Sequence, residues 1–303
     1  MFTWQQVFNM RQTIFLILLV FATKNIHSQV VGTPYIIQGE NNKSFILDSI
    51  SQLPTVAYSV RKVSKTYHGF CMRVRRSSDN SLIDVGFDNN GNLDVSYLLS
   101  FVGSSNGYVA IWYDQTNSGR HLTQVTQAYQ PMIVQSGTVL TQNGKPFISF
   151  YAIPNTTTYN HMDVTGGSIT TNAQVFIVNA FGTVSGSDGF LLGHTTYFCW
   201  HSDNGVNLFH STFANASIRN GDLYINGVLS STSTASYHSS LKLIALAPQT
   251  ANSGTDWNVI GRDRDSHHTS NGGGYAEIMS FSNTILSSER LLIQSSTMSY
   301  FGL

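Results

Sequence analysis

The chain has 303 residues, carries 16 Lys+Arg against 16 Asp+Glu, and is 11% charged. A chain of this length accommodates one large all-β unit, and a neutral, weakly charged surface argues against nucleic acid and against a polybasic membrane contact as partners. Gly 25, Tyr 14 and Phe 18, among abundant Ser, Thr and Asn, are a β-rich composition.

The N-terminus reads as a targeting segment. Met10 and Arg11 precede an apolar run over 13–22, and small or polar residues continue to Ser28 and Gln29. That order is a charged region, an apolar region and a cleavage zone. The apolar run is too short for a stable membrane span, although a retained anchor is the alternative. A signal peptide over 1–28 is expected, then one domain over 29–303, secreted, periplasmic or at the cell surface and free of the membrane after cleavage. Cys71 and Cys199 are the only cysteines. They fit either one disulfide of an exported protein or two buried thiols.

After a polar lead-in with a strand-like stretch at 33–37, Pro54 marks a turn. Helices are expected over 59–67 and 93–102. In the second, Leu93, Tyr97, Leu98 and Phe101 fall on one face, and Gly103 supplies its C-terminal stop. From Tyr108 onward the pattern is β. Strands are expected over 108–113, 145–152, 174–180, 189–193, 195–200, 241–247, 257–261 and 274–281. A hairpin at 222–232 turns on Asn226-Gly227, the strongest short hairpin signal because both turn residues need positive φ. A terminal helix is expected over 286–300, opened by Ser287, Ser288 and Glu289. Many short strands with Gly and Asn between them predict a β-sandwich.

Three stretches carry a family resemblance: AYSVRKVSKTYHGFCMRVRRSSDNSLIDVGF, WYDQTNSGRHLTQ and QPMIVQSGTVLTQNGKPFISF. Their order and spacing resemble the opening of the α-L-arabinofuranosidase B catalytic domain. The hairpin GDLYINGVL and the tail GYAEIMSFSNTILSSER resemble concanavalin A-like lectin and glucanase domains. The resemblance implies an all-β, concanavalin A-like jelly-roll β-sandwich with a few peripheral helices. It also implies a retaining glycoside hydrolase that removes arabinofuranosyl groups from a polysaccharide or oligosaccharide. A non-catalytic glycan-binding or surface-adhesion module on the same fold is the alternative.

Glycoside hydrolysis needs two carboxyl groups flanking the bond. Glu40 and Glu289 lie in unpromising places, and Glu277 sits in the closing strand, where a structural carboxylate is the better reading. In the resembling family the acid/base is an Asp in an "I-G-G-D" stretch, which Ile260-Gly261-Arg262-Asp263 matches. The family's nucleophile is a Glu before "N-G-L-F". Asp203-Asn204-Gly205 matches it with Asp for Glu and with two further residues before Leu208-Phe209. The resemblance therefore implies Asp203 and Asp263 as the catalytic pair, with Trp200, Asn204 and Gly205 against the substrate. The family's adjacent cysteine pair is not found.

Asp263, Asp265, His267 and His268 match no standard zinc or calcium spacing. With no P-loop, dinucleotide fingerprint or nucleophile elbow, no cofactor is expected. Arg73, Arg75 and Arg76 with Asp79 and Asp84 read as a structural ion-pair network, and Asp114 as a residue that fixes a loop. Asn42, Asn155 and Asn215 stand in N-x-S/T sequons.

Overall fold

Two strands form the centre of the molecule, and in both every residue is buried: Gln174–Ala180 and Gly274–Phe281. A near-continuous apolar run is what a strand covered on both faces requires. The computed structural model describes residues 45–150, 160–182, 189–203, 206–264 and 273–303. All of them lie in one compact unit, Ser44–Leu303.

In chain order the elements are β1 Val56–Ser59, β2 Met72–Arg76, β3 Leu82–Val85, α1 Val95–Val102, β4 Gly107–Trp112, β5 Leu122–Thr123, β6 Met132–Gln135, β7 Thr138–Val139, β8 Thr141–Gln142, β9 Lys145–Pro146 and β10 Ile148–Ser149. There follow β11 Met162–Val164, β12 Gln174–Ala180, α2 Ala216–Arg219, β13 Asp222–Ile225, β14 Val228–Ser230, β15 Lys242–Ala247, β16 Val259–Ile260, β17 Gly274–Phe281 and α3 Ser287–Phe301. Every pairing among the described strands is antiparallel. The path runs β14-β13-β15-β12-β17-β10-β6-β4-β5-β11-β16, with β1 against β17 and β2 against β4. The Tyr58 ring on β1 meets Trp112 at 5.8 Å and Trp257 at 6.4 Å, joining the two halves of that path. The architecture is the β-sandwich with few helices that the strand pattern predicts.

Local chemistry sets the boundaries. Asp94 accepts the Tyr97 amide at 2.9 Å and caps α1, and Gly103 at φ 61 closes it on the Leu99 carbonyl. Asn226 and Gly227 take φ 47 and 77 in the β13–β14 hairpin. Both cysteines are buried free thiols, so the disulfide alternative falls.

Three expectations need correction. Residues 59–67 are not helical. Ser59 ends β1, and the following backbone groups find distant partners: Leu93 donates to the Val60 carbonyl, Lys62 to the Gly91 carbonyl, and the Gln115 amide to the carbonyls of Ser59 and Arg61. Those bonds outcompete the local i→i−4 pattern. Residues 189–193 and 195–200 are not strands either. They hold only isolated bridges at Phe190 and Gly193, and side chains take the amides of Thr195 and Thr196. Helix α3 starts without a Ser or Thr cap. Glu289 instead accepts the Leu286 amide at 3.0 Å and, from far in sequence, the Ser51 amide at 2.6 Å. The stretch 33–37 lies outside the described residues.

Candidate active site

β16 leads directly into the Ile-Gly-x-Asp stretch. Gly261 turns the chain at φ +85, and a Cβ there would stand 2.5 Å from both the Asn160 carbonyl oxygen and the Phe150 ring. Only glycine fits both the dihedral and the space. Gly193 faces this turn just as tightly, since a Cβ on it would meet the Arg262 carbonyl. The Gly193 amide donates to Val259 and the Arg264 amide to the His194 carbonyl, each at 2.8 Å. These bonds clamp the 189–203 segment to the end of β16.

The clamp brings His201 to Asp263. Nδ1 of His201 lies 3.3 Å from Oδ2 of Asp263, and their side chains are 1% and 3% exposed. Two carbonyl bonds fix the histidine's neighbourhood: His210 donates to the His201 carbonyl and Ser202 to the Gly189 carbonyl, both at 2.8 Å. The other oxygen of Asp263, Oδ1, is buried and has no hydrogen bond among the described residues. The Arg264 Nε stands 3.8 Å from it, an ion-pair distance. Cys199 lies close by, and burial, with Asp263 second, pushes its thiol up to about 12, so it stays protonated.

Aromatic groups form the rim. The Arg264 guanidinium lies 3.5 Å over the Phe198 ring, Phe198 stacks on Phe213 at 4.8 Å, and His210 meets Phe213 at 4.3 Å. Phe213 is 42% exposed. Exposed Tyr197 stacks on His194 at 3.9 Å and donates to Asp256.

The remaining sequence candidates separate clearly. Asp203 stands two residues past His201 on a tight turn. Its amide bonds the Asn207 carbonyl at 3.0 Å, and its Oδ2 accepts the Asn207 side-chain amide at 3.1 Å. Two residues of extended chain span roughly 6.5 Å, and the bonds of Asp203 are to Asn207, whereas His201 faces Asp263. Trp200 requires correction as a sugar platform. It is 1% exposed, and its indole N–H donates to the Thr255 carbonyl at 2.8 Å, so both faces are spent on the core. Asn204, Gly205, Asp265, His267 and His268 lie outside the described residues, as do Asn42 and Asn155.

Asn215 caps α2 by accepting the Ser217 amide. Asp114 fixes its loop by accepting from Ala57, Thr116 and Ser118. The arginine cluster makes the pairs Arg73–Asp84 and Arg76–Asp79, both at 2.6 Å. They hold the β2–β3 hairpin and its turn rather than an anion. Glu277 is structural, bonded to Arg61, Ser59 and Thr297. Among the described residues no group of three or more His, Cys, Asp or Glu is placed to hold a metal ion.

His201 was not singled out from the sequence. Its signal was the alternation in Trp200-His201-Ser202-Asp203, where residues two apart share a side. A second cluster, Ser168, His194 and Asp256, has the composition of a nucleophilic triad but not its wiring. Nδ1 of His194 accepts the Thr196 amide at 3.1 Å, and both Ser168 and Asp256 approach Nε2, at 3.2 and 3.7 Å. The proton of the neutral ring therefore sits on Nε2 and cannot be taken from Ser168.

The fold is an antiparallel β-sandwich with few helices, and it carries a buried carboxylate–histidine pair, Asp263 and His201. The family model described as "Alpha-L-arabinofuranosidase B, catalytic" matches residues 49–183. The match ends before Phe190, so Asp203 and Asp263 lie beyond it. No curated protein matches. Among solved structures, an arabinofuranosidase complexed with arabinofuranosyl-α-1,2-xylobiose is similar at TM-score 0.50 and 14% identity, over 84% of this chain and 64% of that one. A mutant GH54 α-L-arabinofuranosidase soaked with 4-nitrophenyl α-L-arabinofuranoside is similar at TM-score 0.50 and 13% identity, with the same coverage. The chain thus spans less than two thirds of their length, and at this identity the likeness is one of fold.

Proposed function

We propose that the chain is a secreted glycoside hydrolase of arabinofuranosidase B type, a single domain over 29–303 that removes arabinofuranosyl groups from a polysaccharide or oligosaccharide. The observation that carries this reading is Asp263. It sits at the end of an Ile-Gly-x-Asp turn that accepts only glycine, buried beside His201, in a chain whose 49–183 stretch matches the family.

Asp263 is the acid. Its proton passes to the glycosidic oxygen as the C–O bond breaks, and that bond's electron pair stays on the leaving sugar. Asp203 is the second carboxylate in this reading, the one that bonds the anomeric carbon as the leaving group departs. Water then releases the arabinose and returns a proton to Asp263, as a retaining reaction requires. The exposed part of Phe213 is the apolar surface near the pair that sugar C–H groups could lie on. The test is release of p-nitrophenol from p-nitrophenyl arabinofuranoside by the purified chain, run beside a glycan array. Release supports the hydrolase. Glycan binding without release supports the binding module, a reading to which the Asn207 bond on Asp203 lends weight because it occupies one carboxylate oxygen.

A further inference from the structure

The two oxygens of Asp263 stand in different surroundings. Oδ2 faces Nδ1 of His201 at 3.3 Å. Oδ1 has no hydrogen bond among the described residues, and the Arg264 Nε stands 3.8 Å from it. A buried carboxyl oxygen without a partner costs free energy unless it bonds something not yet in place. The histidine on the other oxygen is held on both sides. Its carbonyl accepts the His210 amide, and its ring meets Phe198 at 5.0 Å and Phe213 at 5.7 Å, both edge-on. It cannot swing away without breaking the rim.

From this geometry we infer that His201 is a positioning residue, and that it divides the acid's work between the two oxygens of Asp263. Nδ1–H donates to Oδ2 and fixes the carboxyl plane, so the transferable proton is carried on Oδ1, the oxygen that has no hydrogen bond among the described residues. When that proton leaves, a carboxylate remains, and the same Nδ1–H stabilises its charge. Water later returns a proton to Oδ1. His201 gains and loses none through the cycle. Among the described residues, the other titratable or charged groups near the pair are Cys199, which stays a neutral thiol, His210, Arg264 and, two residues along the chain from His201, Asp203. The inference rests on Asp263 being the acid and goes beyond it by assigning a role to a residue outside the matched stretch.

The experiment compares wild type, His201→Leu and His201→Asn. Substrates are p-nitrophenyl arabinofuranoside, whose leaving group departs without a proton, and an arabinofuranosyl oligosaccharide, whose leaving group needs one. Leu removes the donor. Asn keeps an amide N–H near the place of Nδ1 without titrating. His201→Leu is expected to lose about 100-fold in kcat on the oligosaccharide, the scale of a misplaced catalytic group, and much less on the p-nitrophenyl substrate. The alkaline limb of its kcat/KM profile moves to higher pH, because a donor to the ionised form has gone. His201→Asn restores the oligosaccharide rate and the wild-type limb.

A second measurement does not depend on turnover. The His201 Nδ1 resonance, followed by NMR, is expected to shift in Asp263→Asn relative to wild type, and it decides the pairing if His201→Leu does not fold. Equal losses on both substrates with an unmoved limb, or an unshifted His201 Nδ1 resonance, would overturn the inference while leaving the hydrolase reading standing. A wild-type chain that cleaves neither substrate removes both.

Discussion

Arg61 and Glu277, 216 residues apart in sequence, meet in a two-point pair, with Nε to Oε2 at 2.8 Å and an Nη to Oε1 at 3.0 Å. Arg61 follows the first strand and Glu277 is central in β17. The pair is closed by Thr297 and Ser296 from α3 and by the Tyr300 ring 4.9 Å from the guanidinium. One ion pair therefore ties the N-terminal block, the central strand and the terminal helix.

Removing one partner leaves a buried charge uncompensated. Glu277→Leu and Arg61→Met should each cost about 3–5 kcal/mol, and the double variant should recover much of that loss. Denaturant unfolding of the four proteins checks it. Additive losses would show that the pair does not act as a unit.

The turn before Asp263 should tolerate no side chain. Gly261→Ala puts a Cβ 2.5 Å from the Asn160 carbonyl oxygen at a φ of +85. A strained backbone position alone costs about 1–3 kcal/mol, and relief of the clash must shift Asp263. Lowered thermal stability is the expected result, and a crystal structure would show the displaced carboxyl.

His238 supplies a pH dependence. Burial, the largest cause, lowers its pKa to about 4, against a partial rise from hydrogen bonding. The imidazole bonds the Asn179 side chain at 3.2 Å. The folded protein keeps the ring neutral while the unfolded chain protonates it near pH 6.5, so the unfolded state binds more protons between these values. The contribution is therefore fully present above about pH 6.5 and is lost as pH falls toward 4. His238→Gln should flatten the stability profile in that window, as measured by unfolding at stepped pH.

Much of this architecture was legible because local chemistry and global packing agree. Gln174–Ala180 was bounded correctly since a strand covered on both faces reads as an apolar run, Gly274–Phe281 since its residues alternate, and Asn226-Gly227 could form little but a tight hairpin. The failures share one physical cause. In 59–67 and 195–200 the backbone is satisfied by partners far away in sequence, such as Gln115 and Asn258, and no local periodicity records that. The site was half legible. Asp263 carried a motif, but His201 acquires its meaning only when Gly193 and Val259 pair. Trp200 misled because an aromatic next to a candidate acid looks like a platform until its burial is known.

The central claim, that Asp263 is the acid of an arabinofuranosidase, is tested most directly by one comparison. Initial rates of wild type and Asp263→Asn are measured on p-nitrophenyl arabinofuranoside and on an arabinofuranosyl oligosaccharide, at the pH of best wild-type activity. Loss of a general acid should lower oligosaccharide cleavage by about 10²–10⁴-fold and p-nitrophenol release far less. Equal rates for the two proteins on the oligosaccharide, or no cleavage of either substrate by wild type, would contradict it.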